Sequence, residues 1–174
     1  LVRSRGLGDV YKRQGHSHPV IAEAIAEQAA TLIHTSNLFE IPWQTAAAQK
    51  LAEVSGMQEV FFSNSGAEAN EGAIKIARKY ASQQGIQNPK IVVAEKSFHG
   101  RTLATLSATG NSKVQEGFFP LVEGFIRVPF GDLEALQEVA LQHPDIVAIL
   151  IEPIQGEGGI NTAPQGLSLI HISE

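Results

Sequence analysis

The most informative stretch of the chain is Phe61-Phe62-Ser63-Asn64-Ser65-Gly66-Ala67-Glu68-Ala69-Asn70. Its two phenylalanines predict a buried strand over residues 60–63, and its small polar residues predict a turn that opens a helix. The backbone amides at such a helix start have no partner within the helix, and together with the helix dipole they favour a phosphate. Ser65 and Glu68 also have the S-x-x-E spacing of a capping box. The stretch therefore fits either an anion site or a capped helix start.

The composition excludes several classes of protein. The chain has 174 residues, 43% of them apolar and 18% charged, which is enough for one domain with a core. No apolar run reaches the ~18 residues of a membrane helix, so we expect no membrane partner. The net charge of −5 argues against a nucleic-acid surface. The absence of cysteine excludes disulfides, zinc–thiolate sites and a cysteine nucleophile, and it fits the reducing conditions of the cytoplasm.

The two ends differ from the rest of the chain. Residues 1–14 are basic and aperiodic, and residues 168–174 stop in the middle of a pattern. Both ends resemble translated sequencing-adaptor peptides, and an ordinary flexible tail is the alternative. We therefore expect non-native tails over 1–14 and 168–174, and a native part over 15–167.

Helical and strand patterns alternate along the native part. Helices are predicted over roughly 19–34, 42–56, 66–84, 102–108 and 132–141, and strands over 60–63, 91–94, 126–128 and 146–151. Short apolar strands between helices predict an α/β fold with a mostly parallel sheet and helices on both faces. The fully apolar strand 146–151 predicts burial on both of its faces. We expect an N-terminal helical segment over 15–57 and a larger domain over 58–167.

Three loops are expected at the carboxyl ends of the strands, where parallel sheets bind their ligands. They cover residues 64–68, 97–101 and 152–159 and should converge in space. In the second loop, Phe98 can stack on a flat ring and Arg101 can bind a carboxylate through two hydrogen bonds. A core phenylalanine and a solvated arginine are the alternatives. In the third loop, Glu152 leaves a buried strand and needs a polar partner.

Four motifs can be compared together: Gly15-His16-Ser17-His18-Pro19, the stretch from Phe61 to Glu71, Ser97-Phe98-His99-Gly100-Arg101-Thr102-Leu103, and Glu152-Pro153-Ile154-Gln155-Gly156-Glu157-Gly158-Gly159. Taken in this order they resemble class III aminotransferases, which are pyridoxal-phosphate enzymes of fold type I. The segments 103–110 and 117–122 make the chain most similar to the acetylornithine branch of that family. The resemblance spans essentially all of 15–167 and implies an incomplete large domain of a fold type I transferase.

The resemblance implies how the cofactor, pyridoxal 5'-phosphate, is bound. Gly66 and Ala67 match the positions whose backbone amides hold the cofactor phosphate, and Ser65 lies beside them. Phe98 matches the residue that stacks on the pyridine ring. The resemblance gives no reason to expect a metal ion.

On the substrate side, Arg101 matches the arginine that binds the substrate α-carboxylate, and Glu157 matches a glutamate near the substrate carboxylate and amine. The implied reaction moves an amino group between N-acetylornithine and 2-oxoglutarate in arginine biosynthesis, in a full-length enzyme that is a homodimer. Succinylornithine, ornithine and 4-aminobutyrate aminotransferases are alternatives. A phosphate- or nucleotide-binding module without chemistry is an alternative of another class.

The resemblance assigns no catalytic residue to this chain. The family's Schiff-base lysine, and the aspartate that pairs with the pyridinium nitrogen, lie in a downstream segment of the family. Lys96 follows a strand, but its position matches no family lysine, so we interpret it as solvated. Because the lysine carries the transfer at Cα, we expect these residues alone to be an inactive fragment.

Overall fold

The computed structural model describes residues 16–36 and 38–164. The chain divides between Val60 and Phe61 into two compact units. The tails predicted over 1–14 and 168–174 lie outside the described residues. Each unit is considered by itself below.

The first unit consists of two helices, α1 over Pro19–Thr31 and α2 over Pro42–Ser55. Each begins with a proline, whose fixed φ suits the first turn and whose missing N–H is not needed there. Gly56 ends α2 with a left-handed φ of 73°, a conformation that glycine adopts without a steric penalty. Both helices were predicted from these prolines and from Gly56.

The apolar side chains of the first unit are largely uncovered. Neither α1 nor α2 has a buried residue. Val20 and Trp43 are 65% and 72% exposed and line an open groove of about 850 Å³. The buried core of the described chain therefore lies in the second unit.

The second unit alternates helices with strands. Its elements are α3 Gly66–Gln83, β1 Lys90–Ala94, α4 Leu103–Ala108, α5 Ser112–Gln115, β2 Phe125–Val128, α6 Leu133–Gln142, β3 Ile146–Leu150, β4 Ile154–Gln155 and β5 Asn161–Thr162. Asp132 begins α6 as predicted, because its carboxylate accepts the Ala135 N–H at 2.9 Å. No helix in the described ranges is long and apolar enough to cross a membrane.

Three of the strands form a parallel sheet in the order β2-β1-β3. In the register, Ile91 lies opposite Phe125 of β2 and Ala148 of β3. Strands β4 and β5 form a separate antiparallel pair. The predicted α/β fold with a mostly parallel sheet is confirmed.

The central strand β1 buries both of its faces. Ile91 and Val93 pack in one cluster with Ile74 of α3 and Ala108 of α4. On the opposite face, Val92 and Ala94 line a small apolar cavity together with Leu136 of α6. Side chains alternate between the faces of a strand, so helices cover both sides of the sheet.

Two predictions about strands are wrong. Residues 60–63 form no strand, and Phe61 is 75% exposed. A strand needs a neighbour for its backbone groups, and the described sheet pairs β1 with β2 and β3 only. Strand β3 is half-buried along its length, although its sequence predicts burial on both faces, because it lies at an edge of the described sheet.

The inner face of α3 is narrower than its sequence predicts. Apolar residues at 74, 76, 77 and 80 predict one apolar side for α3, but only Ile74 and Ala81 are buried, whereas Ile76 and Tyr80 are 67% and 53% exposed. Residues three, four or seven apart share one side of a helix, and Ile76 lies two residues from Ile74. The face that packs on the sheet therefore follows Ile74, Ala77 and Ala81.

These two isoleucines of α3 provide a matched test of the core. We expect Ile74→Ala to lower the free energy of unfolding by about 2–5 kcal/mol, because it leaves a cavity between α3 and the sheet. Ile76→Ala makes the same chemical change on the exposed side and should stay within about 0.5 kcal/mol of the wild type. Urea denaturation of both variants checks this, and equal losses would contradict the packing of α3.

Candidate functional site

The start of α3 is capped by its own side chains. The Ser65 backbone is extended, and the Ser65 hydroxyl accepts the Glu68 N–H at 3.2 Å. The Glu68 carboxylate in turn accepts the backbone N–H of Asn64 at 2.7 Å and its side-chain amide at 2.9 Å. The predicted capping interaction is present, with the carboxylate returning to Asn64 instead of Ser65. Glu68 is thereby held at the turn before the helix.

The amides of Gly66 and Ala67 are left for a ligand. Neither donates to an acceptor within the described residues. A Cβ placed on Gly66 would find no atom within 4 Å, so the space beside this residue is open. They start a helix of 18 residues, whose dipole adds partial positive charge at this end. The capped helix and the anion site are therefore compatible.

The loop after β1 is fixed by hydrogen bonds to its own backbone. The Ser97 hydroxyl donates to the Ala94 carbonyl at 2.7 Å, and the Gly110 N–H donates to the Ser97 carbonyl at 2.9 Å. The His99 N–H donates to the buried hydroxyl of Thr109 at 3.0 Å. Phe98 and Arg101 thus extend from a backbone held at both sides.

Helix α3 also holds this loop. The Asn70 amide donates to the His99 carbonyl at 2.8 Å. The Glu71 carboxylate accepts a hydrogen bond from the Thr102 hydroxyl. The same carboxylate also accepts the Thr105 N–H at 3.3 Å. These contacts were not predicted, although the sequence carries a signal for them: Asn70 and Glu71 are polar residues on the inward side of α3, one turn before Ile74.

Gly100 allows the loop and the helix start to meet. Its φ is +139°, and an added Cβ would lie 2.9 Å from the Ala67 Cβ and 2.6 Å from the Thr105 hydroxyl. Contacts that short do not occur between real side chains, so a glycine is required here. Gly100 therefore brings the amides at the start of α3 next to Arg101.

The third loop is joined to the second through Glu152. One carboxylate oxygen of Glu152 accepts the Phe98 N–H at 2.9 Å, and the other accepts the Gly156 N–H at 3.4 Å. Glu152 thus has the polar partner that its place after an apolar strand requires. Of the three loops predicted to converge, those at residues 97–101 and 152–159 are thus in contact.

Gln155 makes a second connection. Its side chain is fully buried, donates to the Glu95 carbonyl at 2.7 Å and accepts the Asn161 amide at 3.0 Å. Nearby, a Cβ on Gly158 would lie 2.4 Å from the Lys96 carbonyl oxygen. The sequence predicted only a glycine-rich loop here, because the β4–β5 hairpin depends on these long-range contacts.

A cavity of about 560 Å³ opens between the second and third loops. Phe98, Arg101 and Glu157 line it. Phe98 is half-buried, whereas Arg101 and Glu157 are exposed to the cavity and solvent. Residues 65–67 do not line this cavity. Ala67 packs against Gly100, which precedes the cavity-lining Arg101.

Lys96 and Lys113 also line the cavity, and neither was assigned from the sequence. Lys96 is exposed, in agreement with its interpretation as a solvated lysine, and its φ of 58° is uncommon for a residue other than glycine. Together with Arg101 these lysines give the cavity an excess of positive charge over Glu157. Such a wall favours anionic ligands.

His99 is a buried residue of the second loop, and its imidazole is neutral. It is 4% exposed, and its Nε2 has no hydrogen-bond partner among the described residues. Burial disfavours the charged form and lowers the pKa of His99 from 6.5 to about 4. Among residues 16–36 and 38–164, no cluster of histidine and carboxylate side chains could hold a metal ion.

The family model Aminotransferase class-III matches residues 10–169 of the chain. The chain belongs to the class III aminotransferase family. It is 58% identical over 147 residues to an acetylornithine aminotransferase of Nitrosomonas europaea, which is 84% of this chain and 37% of that protein. An acetylornithine aminotransferase of Methanocaldococcus jannaschii is 55% identical over 86% of this chain and 37% of its own length. The chain thus spans little more than a third of these relatives.

Solved structures agree with the family. The ornithine aminotransferase of Toxoplasma gondii superposes with a TM-score of 0.84 at 36% identity, over 91% of this chain and 38% of that one. A Bacillus anthracis aminotransferase gives 0.81 at 33% identity, over 91% and 40%. A further structure of the Toxoplasma enzyme is described with partial occupancy of PLP at its active site. The fold is that of fold type I transaminases, and pyridoxal phosphate is the cofactor that the family supports.

The residues present fit this cofactor. Two open amides at the start of a helix suit a phosphate, a half-buried aromatic side chain at the rim of a cavity suits a flat ring, and a positively charged wall suits a carboxylate. All three features lie on one continuous framework, since Gly100 joins the helix start to the Phe98–Arg101 loop.

The buried His99 makes stability depend on pH. The unfolded chain takes up a proton near pH 6.5 and the folded chain only near pH 4. Between these values the unfolded state binds more protons, so the free energy of unfolding should decrease as the pH falls through this window and level off below it. His99→Gln removes this contribution. Chemical denaturation at several pH values should therefore give a steeper dependence for the wild type, and equal slopes would contradict the buried neutral imidazole.

Proposed function

We propose that the chain is the part of an acetylornithine-type aminotransferase that binds the phosphate and ring of pyridoxal phosphate and the carboxylate of the substrate. The observation that carries this proposal is the contact at Gly100, which brings the open amides of α3 next to a cavity lined by Phe98, Arg101 and Glu157. Identities of 55–58% to acetylornithine aminotransferases support this branch of the family.

The phosphate would be held at the start of α3. Gly66 and Ala67 direct their amides outward, and Ser65 is exposed beside them. Hydrogen bonds from backbone amides to an anion are stronger than those between neutral groups, and the helix dipole adds to them. Because Glu68 is bonded to Asn64, its carboxylate is held by the preceding turn and not free to replace the anion.

The ring would lie against Phe98. When bound, pyridoxal phosphate supplies an electron sink for the bonds at the substrate Cα. Phe98 presents an aromatic side chain from a backbone fixed by Glu152, and stacking on it would hold the ring in one orientation and exclude water from one face. The residues of this chain therefore orient the cofactor and do not perform the proton transfer.

The substrate would be bound by the charged side chains of the cavity. Arg101 offers a planar pair of donors for the α-carboxylate of an amino acid or a 2-oxo acid. Glu157 lies along the same cavity and can accept a hydrogen bond from the substrate amine. We propose N-acetylornithine as amino donor and 2-oxoglutarate as acceptor, with a homodimer as the form of the longer protein.

These 174 residues by themselves are proposed to bind without turnover. We infer that none of the lysines present corresponds to the family's cofactor-binding lysine. Lys96 lines the cavity, but its backbone is held by the Gly110 carbonyl and crowded by Gly158, and it follows a strand at a position unlike the family lysine. Measurable transamination of N-acetylornithine by the purified chain would overturn this proposal.

The phosphate site can be tested by removing one amide without disturbing the helix. Gly66 is the first residue of α3, where proline is tolerated, and the extended backbone of Ser65 suits a residue before proline. Gly66→Pro removes the N–H, and Gly66→Ala keeps it in the same open space. A hydrogen bond to a charged group contributes about 1.5–3 kcal/mol, so Gly66→Pro should weaken pyridoxal phosphate binding about 10- to 100-fold.

Isothermal titration calorimetry with pyridoxal phosphate, inorganic phosphate and ATP measures this effect. We expect Gly66→Ala to bind like the wild type, and Gly66→Pro to lose affinity for pyridoxal phosphate and for inorganic phosphate alike. If Gly66→Pro bound both ligands with wild-type affinity, the start of α3 would not be the phosphate site. A clear preference of the wild type for ATP would instead favour a nucleotide-binding module.

A further inference from the structure

Glu152 is a charged, half-buried side chain that the proposed chemistry leaves without a role. It lies two residues after the end of β3 and does not line the cavity that contains Phe98, Arg101 and Glu157. We propose that Glu152 is a positioning residue, whose carboxylate fixes the backbone of Phe98 so that its ring meets the cofactor. This inference rests on the proposed function, in which Phe98 stacks on the pyridine ring.

Both oxygens of the carboxylate are engaged, each by a different loop. Oε2 accepts the Phe98 N–H at 2.9 Å across 54 residues of sequence, and Oε1 accepts the Gly156 N–H at 3.4 Å. Each of these bonds ties the carboxylate to a backbone amide of a different loop. Its arrangement is that of a structural acceptor between loops.

The Phe98 amide depends on Glu152 alone. The residues on either side have other partners. Ser97 is hydrogen-bonded to Ala94 and Gly110, and His99 is hydrogen-bonded to Thr109. Within the described part of the chain, the Phe98 N–H has no acceptor except Glu152. Removal of the carboxylate would leave this part-buried amide unsatisfied and free the backbone at the point from which the ring extends.

The same carboxylate sets the third loop relative to the second. Gly156 immediately precedes Glu157, so the bond to Gly156 locates Glu157 with respect to Phe98. An aromatic side chain stacks effectively only within a narrow range of offset and distance. Glu152 therefore acts on the ring-binding side of the site, and among the described residues it forms no hydrogen bond to Gly66 or Ala67.

The test separates ring binding from phosphate binding. The variants are Glu152→Ala, Glu152→Gln, Phe98→Leu, the double variant Glu152→Ala/Phe98→Leu, and Glu116→Ala as a matched removal of an exposed carboxylate. Each is titrated with pyridoxal phosphate and with inorganic phosphate. Amide hydrogen exchange is measured by NMR at Phe98 and Gly156, with the amides of Ile91 and Val93 in β1 as the internal reference for folding.

We expect Glu152→Ala to increase exchange at Phe98 and Gly156, to weaken pyridoxal phosphate binding about fivefold, and to leave inorganic phosphate binding unchanged. Phe98→Leu should weaken pyridoxal phosphate binding to a similar degree, and the double variant should lose no more than either single variant, because both act through the ring. Glu152→Gln keeps an acceptor oxygen for one of the two amides and should be intermediate. Glu116→Ala should match the wild type.

Several results would overturn the role of Glu152: unchanged exchange at Phe98 in Glu152→Ala, equal losses for both ligands, or additive losses in the double variant. If Glu152→Ala also raises amide exchange in β1, the substitution destabilises the whole fold. The exchange at Phe98 and the ligand affinities of Glu152→Gln then decide whether Glu152 positions Phe98. Failure of the proposed function is distinguishable. In that case the wild type binds pyridoxal phosphate no better than phosphate, or Phe98→Leu binds it normally, while exchange at Phe98 still reports whether Glu152 holds this amide.

Discussion

The approach of Gly100 to Ala67 is the contact on which the rest of the site depends. It sets the distance between the open amides at the start of α3 and the loop that carries Phe98 and Arg101. No side chain fits at residue 100, since a Cβ would overlap both Ala67 and Thr105. A ligand with an anionic group at one end and a carboxylate at the other would therefore meet donors at a fixed separation.

The framework around this contact consists of side chains that bind backbone groups. Asn70, Glu71, Thr109, Glu152 and Gln155 each hold a loop by its amides or carbonyls. This satisfies the polar backbone of segments that are too irregular for secondary structure. Arg101 and Glu157, which line the cavity, have no hydrogen-bond partner among the described residues. A site whose supporting residues are already fixed loses little freedom when a ligand binds.

Local rules account for what the sequence predicted well. Pro19 and Pro42 open helices, and Ser65 and Asp132 cap them, through neighbours within four residues. Helix boundaries and the strands around 91–94 and 126–128 follow from such neighbours. The role of Glu152 needs a partner 54 residues away, and the contact of Asn70 needs one 29 residues away, so neither can be obtained from spacing alone. The roles of Ser65, Gly66, Ala67, Phe98, Arg101 and Glu157 stay predictions, although three of these residues line one cavity.

Strand β3 shows why pattern and burial can disagree. Its sequence, Ile146-Val147-Ala148-Ile149-Leu150, is apolar on both faces, which is typical of an interior strand of a parallel sheet. Among the described residues it has a neighbour on one side only and stays half-buried. The apolar pattern of a strand reflects all the neighbours that it packs against. The exposure of the strand depends only on the neighbours among the described residues. The same reasoning applies to Phe61 and Phe62, whose aromatic side chains predicted a buried strand and instead lie exposed before α3, in a chain that spans 37% of its curated relatives.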